Sequence, residues 1–412
     1  MNRKNEIPGS GNRRQTADFK IELLVIFALL VSLGFPGNFA VIYGKHIGTI
    51  IEYAAFVIEL LVMLLSSGSN WLDVRIVNLD KKYFMLYVFV AVVFVESMLV
   101  SRYPSEQFIT CARLFVTLLF AIWLQEQFTF ERMIELLCFA QMIFLIFVAA
   151  FIVLHPGEAF ESGTTYTHAL RGLYSTKNNF AYEVSFGILI MISLIRLKKK
   201  RMEDCRVWWF CLIVQLGFLA ACQATGAVIC VMSALVPLCF SEKVRLPLAW
   251  GYIAVNIAFL FAVLTLMPSF EWIFEAMGKD ATLTGRIPLW NQIILVMMGH
   301  NTLTGFGYGM FWRDSKAVAL VHSGFDENSF LGTMTTGAHN ALLELWLNIG
   351  LIGIAAYFAA LLYSMRNIEE IPRERYLFSS IILTYLMMNG LVERTLSGNY
   401  DYRILSLNYS RL

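Results

Sequence analysis

The sequence is poor in charge and has none of the short motifs that bind nucleotides. Of its 412 residues, 15% are charged and 58% are hydrophobic. It contains no Walker loop and no GxSxG elbow, so we expect neither ATP-driven chemistry nor a serine nucleophile of that type. Soluble domains are far less apolar, and here the apolar residues lie in long runs. The composition therefore indicates a polytopic membrane protein.

Metal-binding patterns are lacking as well. There is no DxD motif, and the nearest approach to a carboxylate cluster is Asp326–Glu327, an adjacent pair of the kind usually found solvated in loops. A magnesium-dependent sugar transferase needs carboxylates to hold the metal against phosphates. The seven cysteines show no CxxC or Cys/His spacing and are interpreted as small packing residues. We predict no metal site and no cofactor.

Eleven apolar runs have the length of membrane-spanning helices, which predicts an all-α polytopic membrane helix bundle. The eighth run is the least regular, because Thr225–Gly226 leaves almost no room for a loop before it. The runs lie near 21–36, 47–65, 83–100, 108–125, 133–154, 178–196, 207–222, 226–241, 247–266, 338–364 and 376–392.

The distribution of basic residues predicts which loops face the cytoplasm. The tail 1–20 and the segment LIRLKKKRMEDCR are dense in lysine and arginine, whereas the short connections on the other side hold only Lys45, Arg102, Arg171 and Lys177. The positive-inside rule then places the N-terminus inside. The predicted parts are a cytoplasmic tail 1–20, a bundle 21–266 with an outside loop 155–177, a large outside loop 267–337, two further spans over 338–392 and an outside tail 393–412.

One stretch, Ala281 to Gly353, holds most of the polar and glycine-rich sequence between the runs. Within it, Arg286 precedes Pro288 at a predicted helix start, where a cation beside free N–H groups favours an anion. His339 and Asn340 follow Gly337 at the start of the next apolar run. The segment PLWNQIILVMM predicts an amphipathic helix, along the membrane interface or packed as a cap on the bundle. The GFGYG run predicts a turn, either plain or approaching a ligand.

These groups suggest acid–base chemistry on a diphosphate. Arg286, with Arg171 and Lys177, has the donors to hold a diphosphate without a metal. His339 at a helix start should be neutral and so able to take a proton from an incoming hydroxyl. The plainer interpretation is a lipid-headgroup contact for the arginine and a cap for the histidine. Their occurrence together in the one polar stretch favours the chemical interpretation.

The segments TLTGRIPLW, LTGFGYGMFW and AHNALLELWLNIGLIG resemble the O-antigen ligase/polymerase superfamily, and RGLYSTKNNFA resembles its earlier outside-loop motif. The likeness is nearest to the exopolysaccharide polymerase branch. It implies a polyprenyl-diphosphate-linked (undecaprenyl-type) glycan donor and metal-independent, inverting glycosyl transfer. It further implies that Arg286 holds the diphosphate and that His339 is the base. We expect the other substrate contacts to come from Arg171, Lys177, Asn178, Gly305, Tyr308, Arg313 and Asn340.

The sequence departs from ligase-type members of this superfamily in one connector. Those members often carry an arginine between two mid-chain spans, whereas here the connector reads CQATG, residues 222–226, without a cation. Arg171 or Lys177 would then supply the second charge. Two sets of cations, Arg171 with Lys177 and Arg286 with Arg313, would serve two lipid-linked glycans, which favours a repeat-unit polymerase for O-antigen or exopolysaccharide.

Two alternatives stay open: a ligase that transfers a finished glycan, and a transporter of lipid-linked units. The transporter depends on ionisable residues in or near the runs, namely Glu59, Glu96, Arg113 and Glu183. The expected partners are the lipid-linked oligosaccharide, membrane lipid and, from the resemblance, a chain-length regulator protein, with no nucleic acid. The expected location is the bacterial cytoplasmic membrane, with the active site on the extracytoplasmic face.

Overall fold

The computed structural model describes residues 19–32, 45–65, 81–162, 167–239, 247–266, 285–327, 329–333, 337–366 and 371–393. The predicted cytoplasmic tail 1–20 lies almost wholly outside these residues, and so does the predicted outside tail beyond residue 393. The first part of the large outside loop, 267–284, also lies outside them.

The described chain is predominantly α-helical, as predicted, with one small antiparallel hairpin in the predicted outside loop 155–177. The hairpin consists of β1 (Phe160–Ser162) and β2 (Thr167–Leu170). The helices are α1 (Phe19–Ser32), α2 (Lys45–Leu65), α3 (Phe84–Val100), α4 (Pro104–Gln127), α5 (Phe130–Leu154), α6 (Pro156–Ala159), α7 (Lys177–Lys200), α8 (Arg206–Ala221), α9 (Thr225–Leu235), α10 (Leu248–Leu266), α11 (Arg286–Gly299), α12 (Ser315–His322), α13 (Phe330–Thr333), α14 (Ala341–Met365) and α15 (Arg373–Gly390).

Each apolar run of the sequence coincides with a helix. In the part of the chain that the structure describes, six helices are long and apolar enough to cross a membrane: α3 with the 3₁₀ turn before it, α4, α5, α7, α10 and α14. The eighth run, which the sequence predicts as a broken or tilted element, forms α9 up to Leu235 and continues as a 3₁₀ helix to Cys239. The all-α membrane architecture is therefore confirmed.

Polar side chains at the helix starts explain several boundaries. The hydroxyls of Thr129 and Thr176 accept hydrogen bonds from the first-turn amides of α5 and α7. The carboxylate of Asp314 and the amide oxygen of Asn340 do the same for α12 and α14. Each cap satisfies backbone donors that have no partner inside the helix.

Helices α7 and α15 run antiparallel through the bundle and define its two ends. At one end, Lys200 of α7 pairs with Glu374 of α15 at 3.1 Å. Near the other end, the hydroxyl of Tyr385 donates to the carbonyl of Tyr182 at 2.5 Å. Lys198 follows Tyr182 by 16 residues of helix, a rise of about 24 Å. The basic 196–206 segment therefore lies far along the bundle from Tyr182.

Ion pairs connect four helices at the end that holds the basic segment. Arg132 of α5 contacts Glu22 of α1 at 2.5 Å and Glu135 at 2.8 Å, and Glu135 also receives Lys198 of α7 at 2.6 Å. These pairs, with the Lys200 contact to α15, hold the ends of α1, α5, α7 and α15 in fixed register. That this end faces the cytoplasm stays a prediction.

Helix α14 is broken near its middle, whereas the sequence predicts an uninterrupted apolar run over 338–364. Gly350 has φ +57° and ψ −170°, values outside the helical range. A Cβ at this position would overlap the carbonyl oxygen of Leu303, so only glycine fits. The break was not predicted because the flanking sequence is apolar and reads as continuous helix.

The GFGYG segment fills the break in α14. The amides of Phe306 and Gly307 donate to the carbonyls of Leu347 and Asn348, at 2.9 and 3.0 Å. In the other direction, the amides of residues 351 and 352 donate to the carbonyls of residues 302 and 303, both at 3.1 Å. These four bonds satisfy backbone groups that the broken helix leaves open, which an apolar surrounding requires. The prediction of a turn for GFGYG is confirmed.

Helix α11 begins at Arg286, two residues earlier than the predicted segment, and packs its apolar face on the bundle. Its buried residues include Leu289, Trp290 and Ile293, which share a core with Val263 of α10 and Leu343 of α14. Leu295 and Met298 lie on its exposed face. The element therefore packs against two of the candidate membrane-spanning helices.

Candidate functional site

Arg286 is the first residue of α11 and follows a left-handed glycine. Gly285 has φ +80°, a conformation that costs glycine little, and it directs the chain into the helix. The side chain of Arg286 is about one-quarter exposed, and its Nη2 lies 3.1 Å from Oε1 of Glu393. The predicted placement of Arg286 at a helix start is thus confirmed, with a carboxylate partner that the sequence did not predict.

His339 lies just before α14 and is held there by its neighbours on both sides. Its own φ is +49°. On one side the carbonyl of Ala338 accepts the indole N–H of Trp290 at 2.7 Å, and on the other Asn340 caps α14. Because Trp290 belongs to the helix that begins with Arg286, this bond fixes His339 relative to α11.

Glu393 joins Arg286 and His339. One carboxylate oxygen, Oε1, contacts Arg286, and the other, Oε2, lies 3.2 Å from Nδ1 of His339. The carboxylate side chain is 13% exposed, while the imidazole is 41% exposed. Glu393 therefore bridges the two predicted catalytic residues and leaves the histidine accessible from outside.

Glu393 was not predicted as a site residue. It directly follows the run 376–392, on the side of the membrane where Arg286 and His339 are predicted to lie. A carboxylate at that end of the last apolar run was the available signal, and it was treated as part of a polar tail. We refer to Arg286, His339 and Glu393 below as the triad.

A buried carboxylate, Glu344, supports the triad from within α14. It is 3% exposed and accepts the backbone N–H of Ala338 at 2.8 Å and the indole N–H of Trp312 at 2.9 Å. Asn348 reaches the same carboxylate at 3.4 Å. These bonds satisfy a buried charge, and they hold the backbone immediately before His339. Glu344 was also missed, because within AHNALLELWLN it reads as one charge in a helix.

Tyr182 of α7 lies on another side of the triad. Its side chain is within electrostatic range of both Glu393 and Arg286. Its hydroxyl approaches the connector between α8 and α9 so closely that a Cβ on Gly226 would lie 2.9 Å away. The arginine-free connector is thus a neighbour of the triad through Tyr182.

Lys177 reaches the same connector. It is the first residue of α7, it is 6% exposed, and its Nζ donates to the carbonyl of Gln223 at 3.2 Å. Gln223 has φ +52°, which turns its carbonyl out of the helical direction between α8 and α9. A cation therefore does lie against the connector, supplied by α7 instead of by the connector itself.

The other predicted residues of the first outside loop lie near the start of α7. Arg171 donates to the carbonyls of Glu158 at 2.8 Å and of Ser175 at 3.4 Å, so its guanidinium organises the loop. Asn178 is half-buried in the first turn of α7. Both stay predictions as substrate contacts.

The remaining predicted substrate residues have structural contacts of their own. Gly305 and Tyr308 lie in the segment that fills the α14 break, where the amide of Tyr308 donates to Ser97 and its carbonyl accepts from Gln107. Asn340 is buried, capping α14 and donating to the carbonyl of Leu391 at 3.1 Å. Arg313 is exposed in a 3₁₀ turn. Their roles in substrate binding stay predictions.

The ionisable residues that a transporter would use are buried in the bundle. Glu59, Glu96, Arg113 and Glu183 are each 6% exposed or less. The guanidinium of Arg113 lies 4.4 Å from the ring centre of Tyr53, a cation–π contact within the bundle. Within the described ranges, no three or more His, Cys, Asp or Glu side chains are grouped to hold a metal ion.

The comparisons with known proteins agree with the motifs. No curated protein gives a significant match to the chain. The model of the O-antigen ligase family matches residues 169–358, a region that contains Arg286, His339, Lys177 and the broken helix. The match confirms the resemblance of this region to the O-antigen ligase/polymerase superfamily.

Proposed function

We propose that the protein is a membrane glycosyltransferase that polymerises polyprenyl-diphosphate-linked oligosaccharide repeat units of a surface polysaccharide. The superfamily indicates O-antigen ligase/polymerase-type glycosyl transfer in a bacterial membrane. The observation that carries the proposal is the bridge made by Glu393, which brings an arginine and an accessible histidine to one carboxylate. The polymerase role and the assignment of residues are the parts proposed here.

In this mechanism Arg286 holds the diphosphate of the donor. A guanidinium has five N–H donors in a fixed plane, and Glu393 engages Nη2. The other donors suit the bidentate geometry of phosphate oxygens. The same charge stabilises the diphosphate as it becomes the leaving group, which is where an electrostatic contact contributes most to rate.

His339 takes the proton from the acceptor hydroxyl. When the neutral imidazole donates its Nδ1–H to Glu393, its Nε2 lone pair can accept a proton. The acceptor oxygen then bonds to the anomeric carbon, its proton passes to Nε2, and the bond from that carbon to the diphosphate oxygen breaks with its electron pair. Glu393 stabilises the imidazolium that forms, as a carboxylate does behind other catalytic histidines.

In the proposed polymerase, Lys177 is the cation that serves a second lipid diphosphate. Its Nζ bonds to the Gln223 carbonyl, in the connector where ligase-type members often have an arginine. Tyr182, which lies within electrostatic range of Glu393 and Arg286, follows Lys177 by five residues of the same helix, a rise of about 7.5 Å. A polymerase binds two such lipids, whereas a ligase acceptor need not carry one.

Purified protein and a lipid-linked repeat unit would test the chemistry. We expect His339→Ala to abolish polymer formation, and Arg286→Lys to retain little activity because an ammonium lacks the planar fork. Two matched controls are His322→Ala at the end of α12 and Arg206→Lys in an exposed ion pair with Asp204. Near-normal activity of either triad variant would contradict the mechanism.

The name of the matched family favours the alternative function, a ligase. A deletion strain would distinguish the polymerase from the ligase. Cells lacking a polymerase should display or accumulate single repeat units on the lipid carrier. Cells lacking a ligase should accumulate long polymer on that carrier. Long lipid-linked polymer in the deletion strain would contradict the polymerase and support the ligase.

A further inference from the structure

Three features place residues 286–313 alongside the first half of α14. Near the start of this segment, Trp290 bonds to the Ala338 carbonyl, and after it the carbonyls of Thr302 and Leu303 bond to residues 351 and 352. The chain then returns, since Phe306 bonds to Leu347 and Trp312 bonds to Glu344. The segment is therefore a hairpin that runs along α14 from its start to its break and back.

The break lies deep in a helix that can span the membrane. Gly350 divides α14 into a first part of nine residues, 341–349, and a second part of fifteen, 351–365, with helical rises of about 13 Å and about 22 Å. Neither part alone spans the roughly 30 Å of the hydrocarbon layer. The two parts must therefore cross the layer together, which places the break between them inside it.

A second spanning helix sets the same depth. Phe259 and Val263 of α10 pack against α11, and the ring centres of Phe259 and Trp290 are 6.3 Å apart. Phe259 lies seven residues before the end of α10, a rise of about 10 Å. Helix α11 is thus packed beside the interior of α10 as well as of α14.

The outer side of the hairpin is apolar and exposed. Leu295, Met298 and Leu303 are 66%, 69% and 59% exposed. The backbone bond from Ile352 to Leu303 places Leu303 next to Leu351 and Ile352, which are themselves exposed on the spanning helix. The apolar surface of the hairpin is therefore continuous with the surface that α14 presents to lipid.

We propose that residues 286–313 form a re-entrant hairpin that enters the hydrocarbon layer, with Leu295, Met298 and Leu303 in contact with the acyl chains of the bilayer. Irregular backbone at that depth is tolerated only when its polar groups are paired, and the bonds to the α14 break pair them. At the tip, the side-chain Nδ2 of Asn301 donates to the carbonyl of Gly305, and the backbone N–H of Gly305 donates to the carbonyl of Asn301.

A re-entrant hairpin and a helix lying flat on the membrane place Leu295, Met298 and Leu303 at different depths in the bilayer. Because α11 descends beside α14, Met298 should lie about 4–5 Å deeper than Leu295. Leu303, bonded at the break, should be the deepest of the three. A flat interfacial helix would hold Leu295 and Met298 at one depth.

Spin labels on single cysteines would test this in the full-length protein, with the seven native cysteines replaced. In phosphatidylcholine vesicles, we expect labels at Leu295, Met298 and Leu303 to be relaxed by oxygen more than by a water-soluble nickel chelate, increasingly in that order. A label at Leu351 should behave like Leu303, and a label at Ser315, exposed on α12, should show the reverse.

Two results would overturn the hairpin. Nickel accessibility at Leu303 equal to that at Ser315 would place the tip in water. Equal depths at Leu295, Met298 and Leu303 would indicate a flat helix. Both readouts are independent of catalysis, so they hold whether or not the protein is a polymerase.

Discussion

Replacing Glu393 by glutamine is the most direct test of the triad. The change keeps the size of the side chain and removes its charge. An amide also has one acceptor oxygen, so it cannot accept from both Arg286 and His339 as the carboxylate does. Glutamine must leave one contact unmade or turn its NH₂ group toward a donor.

The expected loss follows from these two contacts. A hydrogen bond to a charged group contributes about 1.5–3 kcal/mol, roughly twice the value for a neutral bond. Neutralising the carboxylate should therefore cost about 1 kcal/mol at Arg286, because the guanidinium is then held less firmly where it would stabilise the leaving diphosphate. At His339, whose side chain is 41% exposed, solvent screening reduces the cost to about half of that. A total of about 1.5 kcal/mol corresponds to a roughly tenfold lower rate.

The loss should fall on kcat and not on KM. In the proposed mechanism Glu393 repels the donor diphosphate while it orients His339, so removing its charge should weaken proton transfer without weakening donor binding. A variant that merely unfolded would reduce the amount of active enzyme instead. Polymer formation from a purified lipid-linked repeat unit, measured over a range of donor concentrations, separates these effects.

Glu327→Gln is the matched control, because this carboxylate is exposed in the loop after α12. Glu393→Asp should recover part of the lost activity, since it restores the charge with a shorter reach. The proposed role of Glu393 would be contradicted if Glu393→Gln retained the kcat of the control, or if it raised KM with kcat unchanged.

Three further outcomes are expected. Gly350→Ala should lower the Tm by several degrees, because the added Cβ would overlap the Leu303 carbonyl. Gly251→Ala, where the added Cβ meets no atom, should leave the Tm unchanged. Equal Tm values for the two variants would contradict the requirement for glycine at the break. Polymerisation should survive excess EDTA, and loss restored by Mg²⁺ would reveal an acidic site. A thiol reagent outside the cell should label Ser315→Cys and not Lys200→Cys; the reverse would invert the topology.

Much of the helical framework could be predicted, because long apolar runs have few alternatives in a membrane. Each run coincides with a helix, Arg286 lies at a helix start as Pro288 indicated, and His339 lies just before the helix that the next apolar run forms. Both signals are local in sequence. They depend on the composition of each segment and on the residues at its ends, which can be identified without knowing the tertiary contacts.

The parts that were not predicted depend on distant contacts. Glu393 contacts Arg286 and His339, which lie 107 and 54 residues away in the sequence. The hydrophobic periodicity of the sequence does not indicate contacts at such separations. The break at Gly350 is bonded to Phe306 and Gly307 of GFGYG and to the preceding Thr302 and Leu303, so neither segment reveals the geometry alone. Glu344 likewise reads as a helix charge until Trp312 and Ala338 are seen to donate to it.

The polar groups of the site also explain one another energetically. A charge in an apolar bundle is costly unless it is bonded, and Glu344 meets that condition with the amide and indole N–H groups that fix the backbone before His339. Trp290 connects the same backbone to the helix that begins with Arg286. Satisfying the buried groups therefore also sets the distance between Arg286 and His339. Donors fixed in this way need no reorganisation when charge develops on a leaving diphosphate, which is the condition for strong electrostatic catalysis.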